Sequence, residues 1–116
     1  MSETKFQSLS QFYPYYLSEH RKPLTRAMHF TGTALLITCF LYALIVQKWM
    51  LLLPVPVLGY GFAWISHAFI ERNKPATFTY PLFSLASDFI MFWDMLTGRI
   101  SKRLDEAKRR YPEAGN

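Results

Sequence analysis

Cysteine is almost missing from this chain: Cys39 is the only one, and it lies inside an apolar run. That excludes a disulfide framework and a cysteine-rich zinc site. Histidine is nearly as scarce, with three residues, His20, His29 and His67. Five glycines form neither a phosphate-cradling loop nor a GxSxG nucleophile elbow. No HxxxH or HxxHH box occurs, so the multi-histidine desaturase pattern is absent. Ser, His and Asp are present, but nothing arranges them as a triad. The first residues are polar, and no cleavable signal peptide is expected before the first apolar run. There is no internal repeat and no low-complexity segment, and 116 residues predict a single domain.

Acidic residues are the scarcer charge. Eight Asp and Glu face thirteen Lys and Arg, which leaves a formal charge of +5 and a pI near 9.5. The basic residues flank apolar runs and form no nucleic-acid-binding motif, so an anionic membrane surface suits them better than nucleic acid. Apolar residues make up 51% and aromatics 17% of the chain, yet mean hydropathy is only +0.05. The reason is distribution: the ends are polar and the middle is not.

Phe30 to Val46 carries no charge, and neither does Trp49 to Ile70 apart from His67 when protonated. Such lengths sit at the lower limit for crossing a bilayer, about 17 residues, or above it. Gln47-Lys48 between them reads as a turn, and Pro54 and Pro56 predict a late helix start or a kink. Two such runs in tandem favour a membrane hairpin. A third apolar stretch, about Phe78 to Leu96, carries Asp88 and Asp94 and stops at Gly98. An unpaired acid is costly in a bilayer, so this helix is expected to lie near the surface.

Beyond Gly98, Ile100, Leu104, Ala107 and Tyr111 recur at helical spacing among basic residues. This tail either rests on headgroups or is a solvated helix. Phe12-Tyr13-Pro14-Tyr15-Tyr16-Leu17 is expected at the headgroup level, the alternative being an aromatic cluster packed on the rest of the domain. Basic clusters precede the first run, follow the second and fill the tail, with only Lys48 between the runs. Two crossings therefore put both termini in the cytoplasm. The expected fold class is all-α: a small integral membrane helical bundle made of a transmembrane hairpin, a third apolar helix and a basic amphipathic C-terminal helix.

In such a hairpin His29 and His67 return to one surface. Three imidazoles, or two with a carboxylate, leave coordination positions open, as in non-heme Fe(II) sites. Glu71 shares a helical face with His67 and is a candidate ligand or an acceptor behind one. Asp88 is a candidate for orienting a histidine N–H. The ridge Gly59, Ala63, His67, Glu71 is small enough for close helix approach, with Gly32 on the facing surface. The bland alternatives stand beside these. His20 reads equally as a surface histidine, His29 as an interfacial anchor, and Glu71-Arg72 as a solvated helix end.

Three segments resemble a known family. They are Phe12 to His20, Arg26-Ala27-Met28-His29-Phe30-Thr31-Gly32-Thr33, and Gly59 to Phe78, which includes Ser66-His67-Ala68-Phe69-Ile70-Glu71-Arg72-Asn73-Lys74-Pro75. Together with Tyr80 to Leu85 and Asp88 to Phe92 they resemble the Mpo-type 2-hydroxy-fatty-acid (2-hydroxypalmitate) dioxygenase family, over roughly residues 10–100 and closer to its compact bacterial branch. Where the eukaryotic members tend to have Asn after the first histidine, this chain has Lys22 and Thr25.

The resemblance implies an Fe(II)-dependent membrane enzyme of fatty-acid α-oxidation. Its metal would be held by His20, His29 and His67, and its substrates would be a 2-hydroxy fatty acid and O2. It implies a bacterial inner-membrane location, or the endoplasmic reticulum in a eukaryote. Lys22, Arg26 and Arg72 would attract the anionic head group. The alternative is a non-enzymatic membrane module that binds lipid or a partner helix.

Overall fold

The computed structural model describes residues 6–74 and 79–112, so Lys5 and the end of the third motif, Pro75 to Phe78, lie outside the described residues. Every regular element among the described residues is helical. They are α1 (Leu9–Ser18), α2 (Pro23–Val46), a 3-10 turn (Trp49–Leu52), α3 (Val55–Ser66), a π-helical turn (His67–Glu71), α4 (Pro81–Thr97) and α5 (Ile100–Arg110). The contacts divide the chain into two units, one of Met1–Arg21 with Ala76–Asn116 and one of Lys22–Pro75.

The Lys22–Pro75 unit is the expected hairpin. α2 opens on Pro23, whose fixed φ suits a first helical position, and ends at Gln47 in the left-handed region (φ 57°). The chain then passes through Lys48 and the 3-10 turn, and Pro54 and Pro56 bracket the start of α3. The prolines therefore mark the late helix start.

α2 and α3 approach closely at two glycines. A Cβ on Gly32 would lie 2.7 Å from the Leu58 carbonyl oxygen and 3.0 Å from Phe62 Cβ. A Cβ on Gly59 would lie 2.9 Å from Leu36. Small residues thus set the helix separation, as the ridge predicted.

Pro23–Val46 and Trp49–Glu71 are each long and apolar enough to cross a membrane. Only 22% and 11% of their most apolar windows are buried, whereas the core helix of a soluble protein would be mostly buried. Ile45, Met50, Leu53, Val57 and Phe69 are all more than two-thirds exposed. The exposed Thr31 and Thr38 donate their hydroxyls to the Ala27 and Ala34 carbonyls, which hides the polar groups within the helix.

The other unit contains α1, α4 and α5. Its core is Phe12, Tyr13, Tyr16 and Leu17 of α1 with Met91 and Ala107. The aromatic segment therefore packs on the rest of its unit, as the alternative reading expected. The Phe12 ring lies 5.3 Å from Tyr80 and 5.6 Å from Phe83. Each such pair adds about 0.5–1.5 kcal/mol beyond its buried area. Burial wins because α1 is short and holds four large apolar-bodied side chains on the face that meets α4 and α5.

The apolar stripe of α5 meets the same core: Ala107 is buried in it and Ile100 and Leu104 pack against it. That stripe is therefore not available to enter headgroups. Gly98, with φ 80°, ends α4 as expected, and α4 begins at Pro81. Asp94 is 2% exposed, accepts the Tyr13 hydroxyl at 2.7 Å and meets Arg103 Nε at 3.5 Å.

Burial, then the bond to Asp94, raises the Tyr13 phenol far above its usual 10.0. An unfolded chain loses that proton near pH 10, and the folded chain keeps it. This contribution to stability is complete below pH 10 and declines as pH rises beyond it. Thermal melts of Tyr13→Phe should therefore show a shallower loss of stability above pH 10 than wild type. Equal slopes would show that the Tyr13 phenol loses its proton over the same pH range in the folded and the unfolded chain.

Candidate metal site

His29 and His67 face each other within the hairpin unit. His29, on α2, is 5% exposed and His67, at the end of α3, is 1% exposed. Their rings are 5.2 Å apart and nearly perpendicular. A ligand nitrogen of each lies within 4.8 Å of the other's. Two buried imidazoles this close present two nitrogen donors to one point, the donor type that iron, zinc and copper accept.

The wide turn at His67 has a visible cause. The Asn73 N–H reaches back to the His67 carbonyl at 3.0 Å, over six residues, and Arg72 takes a left-handed conformation (φ 61°) to allow it. Such π turns are frequent at functional sites. The same fold-back brings Asn73 Oδ1 to 2.6 Å from His67 Nδ1. A carbonyl oxygen accepts, so Nδ1 carries the proton and Nε2 is the lone-pair nitrogen that can face a metal.

Asn73 was not singled out from the sequence. The cue lay in a polar amide just past a histidine-bearing helix end, but only a six-residue return makes it meaningful. Asn73→Ala should lower metal affinity roughly 10- to 100-fold, the cost of losing an outer-shell partner. Asn73→Asp, which keeps the acceptor, should lose much less. Metal titration of both variants checks this, and equal affinity for wild type and Asn73→Ala would remove Asn73 from the site.

Glu71 is engaged at the start of α2. Its Oε2 accepts the Lys22 backbone N–H at 2.7 Å, at the positive end of the helix dipole. Lys22 Nζ donates to the Ile70 carbonyl at 3.0 Å. Arg26 is near enough to Glu71 for their charges to interact, and Arg72 is exposed. Glu71, Lys22 and Arg26 are therefore held together where α2 begins.

His20 belongs to the other unit and is 1% exposed. The Tyr16 carbonyl lies 2.6 Å from its Nδ1, and the Tyr16 ring stacks on it at 4.1 Å. The acceptor is again a carbonyl, so Nε2 is again the lone-pair nitrogen. Asp88 accepts the Tyr16 hydroxyl. Burial and the Asp88 charge push the Tyr16 phenol well above its usual range, so it remains a neutral donor. Asp88 thus holds the tyrosine that stacks on His20. A groove between α1 and α5 is lined by Gln11, Tyr13, Arg103 and Arg110, with no histidine. It offers no donor set of this kind.

The sequence model of the family described as 2-hydroxy-palmitic acid dioxygenase Mpo1-like matches residues 6–100. The chain belongs to this Mpo1-like family. No curated protein and no solved structure matches it. The Mpo1-like match spans all three histidines and both residues, Tyr16 and Asn73, that set a histidine tautomer.

Proposed function

We propose that the chain is an integral membrane, Fe(II)-dependent dioxygenase that shortens 2-hydroxy fatty acids by one carbon, working as a single domain. His20, His29 and His67 hold the metal in this reading, each offering one nitrogen. The observation that carries it is the buried His29–His67 pair in a chain of the Mpo1-like family. The donor set suits iron: imidazoles, two of which (His20 and His67) have Nδ1 tied to a carbonyl oxygen, with fewer protein ligands than a six-coordinate metal takes.

A bound iron would supply O2 activation and a chelation point for the 2-hydroxy acid. The overall change is R-CHOH-COOH + O2 → R-COOH + CO2 + H2O, which balances without a further reductant or 2-oxoglutarate. The protein's own part is to orient and exclude. Asn73 and the Tyr16 carbonyl fix ring tautomers. Lys22 and Arg26, with Arg72 next to Glu71 in sequence, attract the carboxylate. Burial of the histidines keeps bulk water away.

The exposed apolar faces of the hairpin suit lipid, and a bilayer would also hold the acyl tail of the substrate. Two crossings with both termini in the cytoplasm satisfy the placement of basic residues, in the inner membrane if the chain is bacterial. Cysteine labelling at the two ends tests the topology, and labels on opposite sides would rule it out.

The function is tested by anaerobic Fe(II) titration of detergent-purified protein, followed by O2 and 2-hydroxypalmitate. Near one iron per chain and release of the fatty acid one carbon shorter are expected. A well-folded protein that binds no iron would instead be a non-enzymatic membrane module.

A further inference from the structure

Thr25 lies in the first turn of α2, one helical turn before His29 and on the same face. It is fully buried, and its hydroxyl has no hydrogen-bond partner. Three threonines deeper in helices behave differently. Thr31, Thr38 and Thr97 each donate to the carbonyl four residues back. Thr25 has no such helical carbonyl, because four residues back is Arg21, which precedes the helix. A buried hydroxyl without a partner is costly, and a bound ligand would relieve that cost.

Its surroundings specify the ligand's charge. The first N–H groups of a helix have no partner within it. In α2 the Lys22 N–H is taken by Glu71, and Pro23 has none. The N–H groups of Leu24 and Thr25 are left at the positive end of the dipole, with Arg26 in the same turn. Lys22 and Arg26 offset the charge of Glu71. Hydroxyl, helix end and guanidinium on one turn suit an anion, and a carboxylate has lone pairs enough to meet several donors.

We propose that Thr25 binds the carboxylate of the fatty-acid substrate, its hydroxyl donating to a carboxylate oxygen. This rests on the 2-hydroxy-fatty-acid reading above and adds the contact that selects an acid over a neutral lipid of the same length. Thr25 is a specificity residue in this account and has no role in holding the metal.

The test is equilibrium binding of 2-hydroxypalmitate and of 1,2-hexadecanediol to the iron-loaded protein without O2. Thr25→Val keeps the shape and removes the donor. It should weaken binding of the acid ~10-fold, as loss of a hydrogen bond to a charged group does, and leave the diol within about twofold. Thr25→Ser should bind the acid within about threefold of wild type. Thr31→Val should change nothing, since that hydroxyl is satisfied by its own helix. Iron affinity should be the same in all four proteins. Thr25→Val should also melt no earlier than wild type, because it removes an unsatisfied buried group.

Acid binding by Thr25→Val within about twofold of wild type would overturn the proposal and leave the hydroxyl to a water. Equal losses for acid and diol would overturn it too. A wild type that holds iron but ignores both lipids would overturn this inference and the substrate reading together. A wild type that binds the acid but no iron would overturn the metal reading while leaving the Thr25 contact to stand on its own binding data.

Discussion

His67→Ala should abolish iron binding and turnover while leaving a folded, inserted protein. The loss should exceed the roughly 10- to 100-fold expected when only an outer hydrogen-bond partner is removed. Stability should fall less severely. Alanine is the best helix former, and the six-residue return of the Asn73 N–H to the residue-67 carbonyl needs no side chain. What is lost is one buried hydrogen bond to Asn73 and the packing of one ring, a cost of about 1–3 kcal/mol.

Anaerobic Fe(II) titration and circular dichroism in detergent separate these two effects. Retention of full iron affinity by the variant would remove His67 from the metal site. Lys102→Ala is the matching control, since Lys102 is exposed on α5 and should leave both readouts unchanged.

Gly32→Leu should disrupt the hairpin itself. Even a single Cβ there would lie 2.7 Å from a backbone oxygen, and a carbonyl within α3 has no side-chain rotamer to change. A leucine must push α2 and α3 apart, costing about 3 kcal/mol or more. Because His29 is on α2 and His67 ends α3, the same displacement should separate the imidazole pair and weaken metal binding along with stability. Gly61→Ala is the internal contrast. The nearest atom to its Cβ would be 3.9 Å away, an ordinary contact, and alanine gains up to about 1 kcal/mol over glycine within a helix. Thermal melts and metal titration of both variants check the pair. A Gly32→Leu protein with wild-type stability would mean that the close approach is not what holds the hairpin.

Much of this architecture was legible in the chain because one-dimensional signals controlled it. Two uncharged runs with a polar break between them predict two long helices. Pro54 and Pro56 predict a delayed second start, and Gly98 predicts a stop. Each of these follows from local backbone chemistry or from local composition, which neighbouring elements do not alter. The glycine ridge was readable for a similar reason, since small residues four apart share one face of a helix.

The aromatic segment went the other way. Phe12 to Leu17 has the composition of an interfacial belt, and composition does not distinguish that belt from a core of tyrosine and phenylalanine. Packing against α4 and α5 decided it. The C-terminal helix shows the same limit: a basic amphipathic pattern specifies that one face is apolar, not what covers it.

By itself the sequence determined the all-helical class, the apolar hairpin, the family and the three histidines available for chemistry. It did so because helix periodicity, apolar length and residue type are properties of the chain alone. Only the tertiary structure decided how those histidines are presented. Asn73 controls His67 through a π turn and a left-handed Arg72, and Tyr16 controls His20 through a backbone carbonyl that has no sequence signature. Glu71 caps α2 across a separation of 49 residues. Hydrogen-bond partners of this kind depend on where distant backbone and side-chain atoms meet in space, and spacing along the chain does not encode that.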